Sequence, residues 1–205
     1  MDSQIVRQLR LNPRPLVMYF SDEKPRGALE FDETRWTCII SLMDAATAGR
    51  TLVIGPDAHI CMLTGRGRCH PKGVNIQLPT YDASFNYIVL KPLASVSDSD
   101  ETPEVVSMLV NTDQLAALVQ LANFEREGYE SVTMPRATGC QSAYLLPYLE
   151  TKREVPRAVV GMTDPYSRRH VQDGMLSFSM PWEMFQEMER HAAEGILAKL
   201  RPSAN

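Results

Sequence analysis

The stretch EVVSMLVNTDQLAALVQLANFEREGYESVTM, residues 104–134, decides the fold class. Glu104–Val110 is a short apolar run, which is typical of a buried strand. Asn111 and Gln114 then match a helix capping box, and apolar residues at helical spacing continue until Gly128 ends the segment. Ser131–Met134 is a second short strand pattern. Because a strand, a helix and a strand follow one another, we predict an α/β (or α+β) protein.

The first half of the chain repeats this order. Pro15–Phe20 and Thr51–Gly55 are predicted strands, and Arg35–Gly49 between them has the apolar spacing of a helix. Cys61 follows the second strand of this half, as Cys140 follows the second strand of the other half. We therefore predict a single domain, residues 1–205, built from two pseudo-symmetric β-α-β units plus a C-terminal helix, with an internal repeat that relates residues 15–61 to 104–140.

The remaining segments have simpler patterns. Further strands are predicted at Asn86–Leu90, Arg157–Thr163 and Leu176–Met180. A short helix is predicted at Gln141–Leu146, ending at Pro147, and a closing helix at residues 181–200. Residues 21–34 and 95–104 are predicted to be polar loops, the second of them acidic and solvated.

Composition excludes several classes of protein. The net charge is −4 and the pI is near 5.6, which argues against non-specific nucleic-acid binding because that requires a basic face. No apolar run is long enough for a transmembrane helix, and residues 1–15 carry charges where an export signal needs an apolar stretch. We therefore expect a cytoplasmic protein that does not bind a membrane. Its four cysteines are then thiols, metal ligands or catalytic groups rather than a disulfide framework.

The second half resembles a known family. Residues 103–128, the Gly-Cys pair at 139–140, residues 156–169 and residues 176–190 are similar, in this order, to the prokaryotic family called domain of unknown function 169. The resemblance covers roughly Pro103 to Glu189 and also touches Arg35–Gly49, where Cys38 matches a cysteine that is usual in the family. It implies that Cys61 and Cys140 are the family's two loop cysteines. The residues flanking both cysteines differ from the family's pattern, and the resemblance implies no activity.

Cysteines supply the candidate metal site. Cys38, Cys61 and Cys140, with Cys69 or His70 as a fourth ligand, could hold an iron–sulfur cluster or a soft transition metal. The chain has no Cys-x-x-Cys pair, so the spacing alone does not establish this site. The alternatives are buried inert thiols and redox-active or nucleophilic thiols.

Arginines supply a second candidate, a cofactor-binding site for an anionic ligand. Arg66 and Arg68 lie in a glycine-rich loop that lacks the Gly-Lys-Ser/Thr of a phosphate-binding loop. Asp164 and Arg168 follow the predicted strand Arg157–Thr163 and could line a cavity at its end. The alternatives are a solvated surface loop for the first pair and a surface ion pair for the second.

Two functional classes follow from these candidates. In the first, a crevice lined by Cys61 and Cys140 binds a metal, an iron–sulfur cluster or a redox cofactor for electron transfer, cofactor handling or sensing. In the second, the protein is a non-catalytic module that binds an anionic small molecule, or an accessory subunit of a larger complex. The expected partners are the small molecule or metal cofactor and a protein partner or a second copy. Whether the protein is an enzyme stays open.

Overall fold

Eight strands form one mixed sheet in the computed structural model, which describes residues 2–31, 48–56, 81, 84–97, 100–165 and 167–197. The strand order is β2-β3-β4-β1-β5-β8-β7-β6. The strands are β1 (Leu16–Ser21), β2 (Leu29–Glu30), β3 (Leu52–Ile54), β4 (Tyr87–Pro92), β5 (Val105–Val110), β6 (Val132–Thr133), β7 (Ala158–Gly161) and β8 (Leu176–Pro181).

The two halves of the sheet mirror one another in strand order. From the outer edge inward, the first half runs β2-β3-β4-β1 and the second runs β6-β7-β8-β5. Each half has one parallel outer pair and two antiparallel pairs, and the halves join through the antiparallel pair β1–β5. The predicted fold class, an α/β single domain with a C-terminal helix, is confirmed. The predicted helix Arg35–Gly49 of the first unit lies, up to residue 47, outside the described residues. The repeat relating 15–61 to 104–140 stays a prediction, and the strand order offers an alternative in which β3 corresponds to β7.

Strand directions decide which loops meet. Five antiparallel pairings and one parallel pairing separate β3 from β6, so these two strands run in opposite directions. The end of β3 at Ile54 and the end of β6 at Thr133 therefore lie at opposite ends of the sheet. The strand-end argument that brought Cys61 and Cys140 into one crevice is wrong for these strands. Cys61 itself lies outside the described residues, so its proximity to Cys140 stays a prediction.

Three helices cover one face of the sheet, which we call the first face. They are α1 (Gln4–Leu9), α2 (Thr112–Ala122) and α4 (Trp182–Ala193). The predicted capping box is present in α2: the Gln114 backbone N–H donates to the Asn111 side chain, and the Asn111 N–H donates to the Gln114 side chain, both at 2.9 Å. The predicted closing helix ends at Ala193, because Gly195 adopts a φ of 80°.

The short helix α1 begins on a carboxylate from the far end of the chain. The Gln4 and Ile5 backbone N–H groups donate to the carboxylate of Glu189, on α4, at 2.7 and 3.1 Å, and the Ser3 hydroxyl donates to it as well. The Ser3 hydroxyl also accepts from the Val6 N–H at 3.0 Å. Unpaired N–H groups at a helix start favour a negative charge, so Glu189 fixes α1 against α4.

A π-helix, Gln141–Leu145, and the helix α3 (Leu146–Glu150) cover part of the other face, which we call the second face. Cys140 lies immediately before the π-helix. The prediction of a short helix ending at Pro147 is only partly right, because the chain stays helical up to Glu150. No helix within the described ranges combines the length and the apolar character that are needed to cross a bilayer.

Two predicted loops contain more structure than their composition suggested. The first includes the edge strand β2. In the second, the carboxylate of Asp100 accepts from the Lys91 ammonium at 2.7 and 2.8 Å and from the Ser97 backbone N–H at 2.8 Å. Burial alone would raise the pKa of Asp100, but these hydrogen bonds outweigh it and lower the pKa. Asp100 is therefore an anchor rather than a solvated charge.

Candidate functional site

The candidate site lies where β6 and β7 end. These neighbouring strands are parallel, so their carboxyl ends lie at the same end of the sheet. The loop after β6 leads to Cys140, and the loop after β7 contains Asp164 and Arg168. The structure therefore brings together three of the residues singled out in the sequence, at the position where ligands commonly bind in α/β sheets.

A hydrogen-bonded chain connects the two loops. The Gly139 backbone N–H, directly before Cys140, donates to the Ser167 hydroxyl oxygen at 3.0 Å. The Ser167 hydroxyl donates in turn to the carboxylate of Asp164, which also accepts from the Ser167 N–H at 3.0 Å. Ser167 is 1% exposed, so the bond that its hydroxyl accepts from Gly139 is shielded from water, whereas Asp164 is half-buried. Asp164 thus fixes the backbone that carries Cys140.

Close packing under the π-helix fixes the same backbone from below. A Cβ placed on Gly161 would lie 2.0 Å from the Ser142 hydroxyl oxygen and 2.2 Å from its Cβ, so only glycine fits there. The Ser142 hydroxyl lies 3.1 Å from the carbonyl oxygens of both Thr138 and Gly139. It also accepts from the Met162 N–H at 3.3 Å. Gly161 therefore lets the π-helix sit directly on β7.

Cys140 is 5% exposed and faces a cluster that combines aromatic and sulfur-containing side chains. Its buried members include Tyr81, Tyr144, Tyr148 and Met175. Burial raises the pKa of the Tyr81 phenol, and the charge of a Cys140 thiolate raises it further. The pKa of the Tyr144 phenol is raised by the same two causes in the same order. Both phenols therefore stay protonated. The Tyr81 hydroxyl donates to the Met18 sulfur at 3.7 Å, whereas the Tyr144 hydroxyl has no partner among the described residues.

Two buried hydroxyl groups near this cluster have no hydrogen-bond partner in the described structure. They are the hydroxyls of Tyr144 and Ser177, and both residues are fully buried. Ser177 faces Gly161 across the β7–β8 pair, and its hydroxyl oxygen lies 2.9 Å from where a Cβ on Gly161 would be. An unpaired hydroxyl in the interior costs free energy, which is a reason to look for a bound group.

Arg168 holds its own loop in place. Its backbone N–H donates to the Asp164 carbonyl at 3.2 Å, and its guanidinium donates to the Met175 carbonyl. The structure therefore uses Asp164 and Arg168 to shape the loop, in addition to any role toward a ligand.

The other predicted site residues lie outside the described residues: Cys38, Cys61, Arg66, Arg68, Cys69 and His70. Within the described ranges, no three His, Cys, Asp or Glu side chains come together in a way that would hold a metal ion. The pairing of Cys140 with other thiols thus stays a prediction.

Sequence reasoning missed Ser142, Gly161, Ser167 and the Tyr144 hydroxyl. The one available signal was Gly161 inside the predicted strand Arg157–Thr163, because glycine in a strand often marks a close approach of another backbone. The serines gave no signal, because their partners are distant in the sequence.

A comparison with family models matches residues 73–191 to DUF169, described as "Uncharacterised ArCR". The chain belongs to this family. The match contains Cys140, Asp164 and Arg168, whereas Cys38, Cys61, Cys69 and His70 precede its first residue. Neither a curated protein nor a solved structure matches the chain. Membership in DUF169 therefore supports the resemblance noted in the sequence and leaves the activity to be inferred from the site.

Proposed function

We propose that this DUF169 protein binds a metal, an iron–sulfur cluster or a redox cofactor at Cys140, for electron transfer, cofactor handling or sensing. The observation that carries the proposal is the buried Cys140 thiol on a backbone held from two sides. A thiolate is a soft ligand that suits iron–sulfur clusters and soft metals. A π-helix adjoining the thiol adds support, since such segments are frequent at functional sites.

The described part of the chain supplies only some of the required ligands. It offers the Cys140 thiol, the unpartnered Tyr144 hydroxyl in the same cluster, and the unpartnered Ser177 hydroxyl opposite Gly161 on the second face. In the proposal, further ligands come from Cys38 and Cys61, with Cys69 or His70 as auxiliaries. A bound cofactor would also give the two hydroxyls an acceptor, which removes their cost.

The alternative, a module that binds an anionic molecule through arginines, has less geometric support. The guanidinium of Arg168 donates to the Met175 carbonyl, and the Asp164 carboxylate accepts from Ser167. Both side chains are thus committed to the loop after β7. Arg66 and Arg68 remain as candidates of this alternative, outside the described residues.

The decisive experiment uses the full chain purified without oxygen. We expect visible absorption and a stoichiometric amount of iron or another transition metal by elemental analysis. Replacing Cys140 by Ser should abolish both, whereas the matched control Met175→Leu, in the same buried cluster, should keep them. A colourless, metal-free protein whose four thiols all titrate would contradict the proposal. Metal retained in Cys140→Ser would contradict the role of Cys140.

A further inference from the structure

Among the described strands, β6 is the outermost at one edge of the sheet. Three large apolar side chains are exposed within the described residues: Tyr129 is 97% exposed, Met134 61% and Val155 60%. Tyr129 and Met134 flank β6 in the sequence. Val155 lies three residues before Ala158, the first residue of the neighbouring strand β7. Tyr129 and Met134 therefore border the edge strand β6, whereas Val155 borders β7.

The backbone of this edge also has free hydrogen-bonding capacity. In the β6–β7 pair, the Ala158 N–H donates to the Ser131 carbonyl at 2.9 Å. Since parallel strands alternate the direction of their bonds, the N–H and C=O groups of Val132 point away from β7. Unpaired groups on an edge strand can template another strand, and exposed apolar residues beside them strengthen that tendency.

Charges near β6 are arranged in a self-complementary way. Exposed Glu127 and Glu130 precede the strand, whereas exposed Arg136 follows it. If two copies of β6 pair antiparallel about Val132, Arg136 of each copy faces the segment that contains Glu127 and Glu130 in the other. A two-fold contact repeats each favourable pair twice, which is the requirement for a self-complementary interface.

We propose that the β6 edge is the interface of a homodimer, in which two β6 strands pair antiparallel around a two-fold axis at Val132. Pro135 lacks an N–H and limits the strand pairing to a few residues. Tyr129 and Met134, which border β6, then provide exposed apolar area for the contact, and the charges set the register. The proposal is independent of the cofactor at Cys140.

Sedimentation of the full chain over a range of concentrations tests this interface. We expect a dimer for the natural sequence. Glu127→Arg and Arg136→Glu should each weaken dimerisation by about tenfold or more, because like charges then face each other in both copies of the contact. Glu23→Arg makes the same charge change on a distant exposed loop, and it should leave the dimer intact.

Mixing the two weakened variants gives the sharper result. In a heterodimer of Glu127→Arg with Arg136→Glu, both contacts again join opposite charges, so dimers should reappear on mixing. The proposal is wrong if the natural chain stays monomeric at all concentrations. It is also wrong if neither substitution weakens the dimer, or if mixing the two variants does not restore dimers. Unchanged circular dichroism of each variant confirms that folding is intact. Cys140→Ser should still dimerise, which separates this result from the cofactor proposal.

Discussion

The two faces of the sheet carry different kinds of side chain, because alternate residues of the same strands point to opposite faces. On the first face, β5 and β8 present Val106, Met108, Phe178 and Met180, all fully buried against helices. On the second face the same two strands present the serines Ser107, Ser177 and Ser179, which are equally buried. The first face is thus an apolar core, whereas the second face retains small polar groups beneath the π-helix that follows Cys140. A core built only for stability would not need them.

On the first face, loss of side-chain volume should cause the largest decrease in the free energy of unfolding. Phe178 is fully buried in the first-face cluster, and truncating it to Ala should lower the free energy of unfolding by about 4 kcal/mol. Urea unfolding measures the change. A loss below about 1 kcal/mol would show that the first face is loosely packed, and the contrast between the faces would fail.

On the second face, added side-chain volume should cause the largest decrease in the free energy of unfolding. Gly161→Ala places a Cβ against Ser142, so we expect a loss of about 3 kcal/mol and displacement of the π-helix. Gly174→Ala is the matched control. Its φ of 78° disfavours alanine, but no atom lies within 4 Å of the added Cβ, so a loss of about 1 kcal/mol is expected. Equal losses in the two variants would mean that close packing is not the cause.

The buried serines of the second face should differ in how much their hydroxyl groups contribute to the free energy of unfolding. Ser179→Ala removes the 2.8 Å hydrogen bond to the Ser107 hydroxyl and should cost about 1 kcal/mol. Ser177→Ala removes a hydroxyl without a partner and should be neutral or stabilising in the protein without a cofactor. If Ser177→Ala costs as much as Ser179→Ala, the Ser177 hydroxyl already has a partner and no longer points to a ligand.

The ion pair between Lys91 and Asp100, near the first face, should affect stability mainly at acidic pH. The pKa of Asp100 is lowered on folding, so the stability that its hydrogen bonds provide is present at neutral pH. It is lost as the pH falls below the ordinary value of 3.8 toward the lowered pKa. Asp100→Asn should remove this part of the acid sensitivity. Because the Asp100 side chain is only 13% exposed, loss of its charge should also cost about 1 kcal/mol or more at neutral pH. Identical acid-unfolding profiles for the two proteins would contradict this role of Asp100.

Local sequence patterns predicted the capped helix α2 and every described strand except β2, because each pattern depends on neighbouring residues. The repeat of apolar residues in Val105–Val110 and the Asn111–Gln114 capping box are examples. Strand directions depend on pairings between distant segments. Local sequence patterns therefore could not predict that β3 and β6 run in opposite directions. The candidate site divides in the same way. Cys140 was identified by its chemistry, whereas the support from Ser142 and Ser167 arises from tertiary contacts.

The cap on α1 has a consequence for how the protein is made. A six-residue helix is unstable alone, and the carboxylate that completes its start belongs to Glu189. During synthesis, α1 leaves the ribosome well before Glu189, which follows Gln4 by 185 residues. The helix α1 therefore becomes stable only after α4 has been made, and a chain truncated before α4 should leave α1 undocked.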